Sequence, residues 1–93
     1  MNLVWSAKFT RTVKRVVGRD KKLLSEIEQT LAQLAAESKH PSLRAHKLKG
    51  ELAGTWSCSV NYDLRILFDF MKNSKTGELE ILLLAVGTHE EVY

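Results

Sequence analysis

Trp56-Ser57-Cys58-Ser59-Val60-Asn61-Tyr62-Asp63-Leu64-Arg65-Ile66-Leu67-Phe68-Asp69-Phe70 is the stretch that decides the fold. Trp56, Cys58, Val60 and Tyr62 alternate with polar neighbours, the period of a half-buried strand whose side chains point to opposite faces in turn. Leu64, Ile66, Phe68 and Phe70 repeat the pattern against Arg65, Leu67 and Asp69. The polar Asn61-Tyr62-Asp63 between the two runs reads as a hairpin tip. Trp56 and Tyr62 fall in the apolar register, so core packing is the expectation for both, ahead of base stacking.

Downstream, Lys72-Asn73-Ser74-Lys75-Thr76-Gly77 reads as a second turn. Glu80-Ile81-Leu82-Leu83-Leu84-Ala85-Val86 is apolar on both faces, as expected of a strand flanked by neighbours on both sides. Upstream of Pro41 the period is helical. Leu3-Val4-Trp5 forms a short edge strand, and Ser6 is placed to cap a helix. Phe9, Val13, Val16 and Val17 recur on one face of it, with Lys8, Arg11, Lys14 and Arg15 mostly on the others. Gly18 can close that helix and Asp20 can cap the next. Leu23, Leu24, Ile27, Leu31, Leu34 and Ala35 form the second apolar stripe, and Ser38-Lys39-His40-Pro41 ends it. Helices joined by about two residues pack as an antiparallel hairpin.

The fold class is therefore α+β, in the order β-α-α-β-β-β. An antiparallel meander carries the N-terminal helix hairpin on one face, the first strand joins a sheet edge, and the opposite face is free. Residues 1–93 are expected to form a single domain, because a chain of 93 residues leaves no room for two cores. Apolar residues at 44% and charged residues at 27% exclude disordered, collagenous and membrane-embedded classes. No apolar run reaches the roughly 18 residues of a membrane span, and no signal peptide is evident, so a cytoplasmic location is expected. Cys58 alone cannot build a disulfide framework. His40, His46, Cys58 and His89 match no common zinc spacing, so neither a metal nor another cofactor is expected.

Net charge is +3, but it is split: +7 over residues 1–50 and −4 over residues 51–93. A basic half suits a polyanion or an acidic partner. The chemistry-bearing residues cluster at strand ends. His46 precedes Lys47-Leu48-Lys49-Gly50, Asp63 sits at the hairpin mouth, and Arg65 lies one step into the next strand, opposite Leu64 and Ile66. His89 follows Gly87-Thr88, and Tyr93 follows four residues on. Attack of an RNA 2′-hydroxyl on its own phosphate needs a base, an acid for the leaving 5′-oxygen, and cations. Histidine and aspartate fill the first two roles, arginine and lysine the third. Each also has an ordinary reading: turn chemistry for Asp63, surface coverage for Arg65, solvated lysines, and a loop histidine.

With the order of elements, the segments His46-Lys47-Leu48-Lys49-Gly50, Asp63-Leu64-Arg65-Ile66-Leu67-Phe68 and Gly87-Thr88-His89-Glu90-Glu91-Val92-Tyr93 resemble the RelE/ParE superfamily of type II toxins, most closely its YafQ branch. The resemblance spans nearly the whole chain. It implies a microbial-RNase-like fold and a ribosome-dependent, metal-free mRNA endonuclease held inactive by a cognate antitoxin. By the resemblance His89 is the general acid and Asp63 or His46 the general base. Arg65 with Lys47 or Lys49 holds phosphate, and Tyr93 stacks on or orients the substrate. Ser59 stands where YafQ relatives carry a further histidine, and Arg65 is the RelE-like feature. The alternatives are a ParE-like inhibitor of DNA gyrase, which acts without cleavage, and an inert nucleic-acid-binding module.

Overall fold

Two helices close one side of the molecule, and the start of each is fixed by a side chain visible in the sequence. The computed structural model describes residues 1–52 and 54–92. After strand β1 (Asn2–Trp5), helix α1 (Ala7–Val17) begins where the Ser6 hydroxyl accepts from the Phe9 N–H at 3.0 Å. It ends at Gly18, whose φ of 53° lies where a side chain would strain the backbone. The Asp20 carboxylate accepts from the Leu23 N–H at 3.0 Å and starts α2 (Lys21–Ala36). This helix stops before the proline: Glu37 is already extended, and Pro41 instead opens a separate 3₁₀ turn, Pro41–Leu43.

The remaining elements are β2 (His46–Lys47), β3 (Trp56–Ser59), β4 (Leu64–Lys72), β5 (Leu79–Thr88) and a short helix α3 (His89–Val92). They form one sheet in the order β1-β5-β4-β3-β2, in which only β1 runs parallel to its neighbour. This is the expected α+β arrangement with one more strand, because His46 and Lys47 pair with Ser57 and Trp56. A two-residue strand leaves too short an alternation to read. β3 is shorter than its alternating run: the Val60 N–H turns back to the Leu64 carbonyl at 3.0 Å and closes the hairpin early. β5, flanked by β1 and β4, is interior, as its two-sided apolar character requires.

Phe9, Val13, Ile27, Leu31 and Leu34 of the helices pack on Cys58, Ile66, Phe68, Ile81, Leu83 and Val86 of the sheet. Phe68 is fully buried and stacks with Trp56 at 6.4 Å between ring centroids. Truncating such a core aromatic to alanine costs about 3–5 kcal/mol. One hydroxyl ties the layers together. Thr12 Oγ1 donates to the Phe9 carbonyl at 3.0 Å and accepts from the Val86 N–H at 3.1 Å, next to the point where the β4–β5 register shifts.

The register sets the other face of the sheet. His46, Ser57, Leu67 and Ala85 lie on one rung, and Ser59, Arg65 and Gly87 on the next. This face is less open than expected. Ser57, Leu67 and Ala85 are buried, and α3 packs against β5 and β4. Its polar groups reach solvent at the rim, where the β4–β5 ladder ends.

Candidate active site

The ladder between β4 and β5 finishes at the Leu64–Thr88 rung. Asp63 and His89 are the first residues beyond it, one on each strand. Two residues far apart in sequence are therefore adjacent because the strands that carry them pair to their ends. One rung inside, Arg65 stands opposite Gly87, which offers no side chain to crowd the guanidinium. Asp63, Arg65 and His89 line one open cleft of about 460 Å³, together with Tyr62, Thr88 and Glu90.

The turn carrying Asp63 is tightly specified. Asn61 Oδ1 accepts from the N–H groups of Asp63 and Leu64, both at 2.9 Å, an Asx turn in which the side chain substitutes for backbone. Asn61 Nδ2 donates to Glu26 Oε2 at 3.0 Å and so anchors the turn to α2. Arg65 Nη1 donates to the carbonyls of Asn61 at 2.8 Å, Leu64 at 3.0 Å and Tyr62 at 3.1 Å. One nitrogen of the guanidinium thus braces the loop in front of it. A second recess, about 440 Å³, adjoins the cleft and shares Asp63 and Thr88 with it; Arg15 of α1 and Asn61 line it too.

Other sequence-nominated residues lie elsewhere. His46 is exposed on β2, its Nδ1 3.1 Å from the Arg44 carbonyl. It shares the Arg65 face of the sheet, but two strand spacings, about 10 Å, and two residues, about 7 Å, separate them. Lys47 pairs with Trp56 and so, by strand alternation, belongs to the helix-bearing face, opposite the one that carries Arg65. Lys49 is exposed past the end of β2. Tyr93 lies outside the described residues.

Tyr62 corrects the sequence expectation most sharply. It is 93% exposed, not packed in the core, because β3 ends at Ser59 and the hairpin tip carries Tyr62 out of the strand register. Trp56 does pack, against Phe68 and Phe70. Sequence reasoning also missed the bracing role of Asn61; an Asn two residues before an Asp between two strands was the available signal. Cys58 of β3, paired with Ile66 on the helix-facing side of the sheet, is fully buried. Desolvation pushes its thiol up to about 12, against the smaller opposing effects of a hydrogen bond to the Ile66 backbone and the Arg65 charge. It is a packing residue and not a nucleophile. Among the described residues no group of three His, Cys, Asp or Glu side chains is placed to hold a metal ion, and no helix is long and apolar enough to cross a membrane.

Residues 1–93 match the family described as the bacterial toxin of type II toxin-antitoxin system, YafQ. The chain belongs to the YafQ family of type II toxins. No individual curated protein matches it. Among solved structures, YafQ from E. coli strain BL21(DE3) superposes with a TM-score of 0.78 at 15% identity, covering 99% of this chain and 97% of that one. The YoeB/ParE toxin from Agrobacterium tumefaciens gives 0.75 at 18% identity, covering 96% and 99%. The YoeB dimer from Staphylococcus aureus gives 0.68 at 22% identity, covering 96% and 97%. At these identities the likeness is one of fold, an α+β toxin fold kept while most side chains have changed.

Proposed function

We propose that this YafQ-family toxin is an endoribonuclease that cuts mRNA on the ribosome, and that the cleft at the end of the β4–β5 ladder is its active site. The observation that carries the reading is that Asp63 and Arg65 of one hairpin line an open cleft together with His89, which follows a separate strand. Asp63 takes the proton of the 2′-hydroxyl, and the freed oxygen attacks the adjacent phosphorus. His89 gives a proton to the departing 5′-oxygen. Arg65 balances the charge that builds on the phosphoryl oxygens. The P–O5′ bond breaks as the P–O2′ bond forms, leaving a 2′,3′-cyclic phosphate and a 5′-hydroxyl. Placed acid and base groups contribute typically about 10²–10⁴-fold each, and a fixed cation at the developing charge acts without reorganisation. His46 and Lys49, on the exposed β2 side, guide the RNA strand away from the cut. Tyr93 orients the substrate.

We further propose a cognate antitoxin as the natural partner. Support comes from the family membership and from a solved neighbour that is an E. coli DinJ–YafQ complex. The +7 balance of residues 1–50 suits an acidic partner by electrostatic steering.

Expression of wild type and His89→Ala, with mapping of mRNA 5′ ends, tests the reading. Wild type is expected to arrest growth and to leave cuts bearing 5′-hydroxyl ends. A folded His89→Ala protein is expected to leave none. Undiminished cutting by that variant would overturn the assignment, and growth arrest without any cuts would overturn the nuclease reading.

A further inference from the structure

Single exposed apolar side chains are ordinary on protein surfaces. Tyr62 differs in where it stands and how firmly it is held. Tyr62 is 93% exposed and lines the same cleft as Arg65 and His89. Its backbone is fixed from both sides. Asn61 closes the turn through the Asp63 and Leu64 N–H groups and is tied to Glu26 on α2. The Tyr62 carbonyl accepts from Arg65 Nη1 at 3.1 Å. A rigid aromatic ring on a braced turn loses little conformational freedom when something settles on it.

Resting on the RNA reading above, we infer that Tyr62 is a stacking platform for a nucleobase next to the scissile phosphate. The cleft fits a nucleotide better than a protein segment. A lone ring among charged and polar groups is not the contiguous apolar patch of a protein hot spot. The Arg65 guanidinium holds the backbone carbonyl of the residue that carries the ring, so the two groups a nucleotide needs stand on one braced turn. Aromatic faces take bases whatever their sequence, and guanidinium takes phosphate oxygens. The carboxylates of Asp63 and Glu90 also line the cleft. They repel phosphate from their own side, which confines the phosphate to Arg65 and leaves the base to the ring.

The test uses a short single-stranded RNA made non-cleavable by a 2′-deoxy sugar at the cut, with affinity measured for wild type, Tyr62→Phe, Tyr62→Trp and Tyr62→Leu. Stacking predicts that Tyr62→Leu weakens binding roughly 5- to 150-fold, the equivalent of about 1–3 kcal/mol for one stacked base. Tyr62→Phe and Tyr62→Trp are expected to bind like wild type. Removing one base from the RNA is expected to erase the difference between wild type and Tyr62→Leu. Equal binding by wild type and Tyr62→Leu would overturn the stacking role and leave the cleavage reading standing. So would a Tyr62→Leu defect confined to antitoxin binding. A wild type that neither binds nor cuts RNA would overturn both.

Discussion

The hairpin tip from Asn61 to Arg65 and the short strand at His46–Lys47 were both nominated by the sequence, and the fold treats them in opposite ways. The tip sits at the end of the long β4–β5 ladder and is braced by hydrogen bonds from Asn61 and Arg65. The strand at His46 is two residues long, lies on the sheet edge and is exposed. A catalytic constellation needs atoms held within a fraction of an ångström. Only the first region supplies that. The comparison teaches that a polar residue one step past a long, well-registered strand is a stronger site candidate than an equally suggestive residue on a short edge strand.

Arg65 is the sharpest place to break the comparison, because it belongs to the cleft both as a cation and as a brace. Arg65→Ala is expected to lower cleavage by about 10²-fold or more, the scale for losing a fixed charge-stabilising donor. Arg65→Lys is expected to recover little of it, since an ammonium cannot reproduce the guanidinium's planar fork of donors. Cleavage rates together with circular dichroism check this, and full recovery by lysine would reduce Arg65 to a point charge.

Asn61 comes next in size. Asn61→Ala removes the Asx turn and the link to Glu26, and is expected to lower unfolding free energy by about 1–2 kcal/mol, a fall of several degrees in Tm. Cleavage is expected to fall with it, whereas Glu26→Gln, which retains an oxygen for Asn61 Nδ2, is expected to stay near wild type in both. Thermal unfolding of the three proteins measures this. An Asn61→Ala protein as stable and active as wild type would show that the tip is no better fixed than the edge.

Cys58 reports on β3, the strand between the two regions. Its thiol is raised in the folded protein to about 12, so below the ordinary thiol range it is neutral in both folded and unfolded chains. As pH rises through that range the unfolded chain ionises first, and the stabilisation from the buried neutral thiol is lost on approaching 12. Stability is therefore expected to decline through the alkaline range, and native alkylation at pH 8 to be slow. Denaturation curves against pH and a timed alkylation check both. Rapid labelling of native protein would mean that β3 opens, and with it the pairing of Ser59 with Arg65.

Much of the fold was legible because each local signal agreed with the global one. Ser6, Gly18 and Asp20 cap as their chemistry dictates, and the apolar run at Ile81–Val86 found an interior place. The candidate cleft was legible where strand register carried it: Asp63, Arg65 and His89 line one cleft because β4 and β5 pair to their ends. It was not legible where side-chain alternation depends on a strand boundary. Tyr62 looked core-facing only while β3 was extended past Ser59, and the sheet face of Lys47 could not be read while the pairing of β2 was unknown. Neither boundary leaves a signal in composition, because a turn closed by the Val60 N–H and a two-residue pairing are both tertiary outcomes.

Single-turnover cleavage of ribosome-bound mRNA by Asp63→Asn, His89→Ala and His46→Ala, each confirmed as folded, tests the central claim most directly. The account predicts that the two cleft variants fall by about 10²–10⁴-fold, while His46→Ala stays within about tenfold of wild type, the scale of a substrate-guiding contact worth about 1.4 kcal/mol. A His46→Ala protein as inert as His89→Ala, with Asp63→Asn fully active, would contradict it.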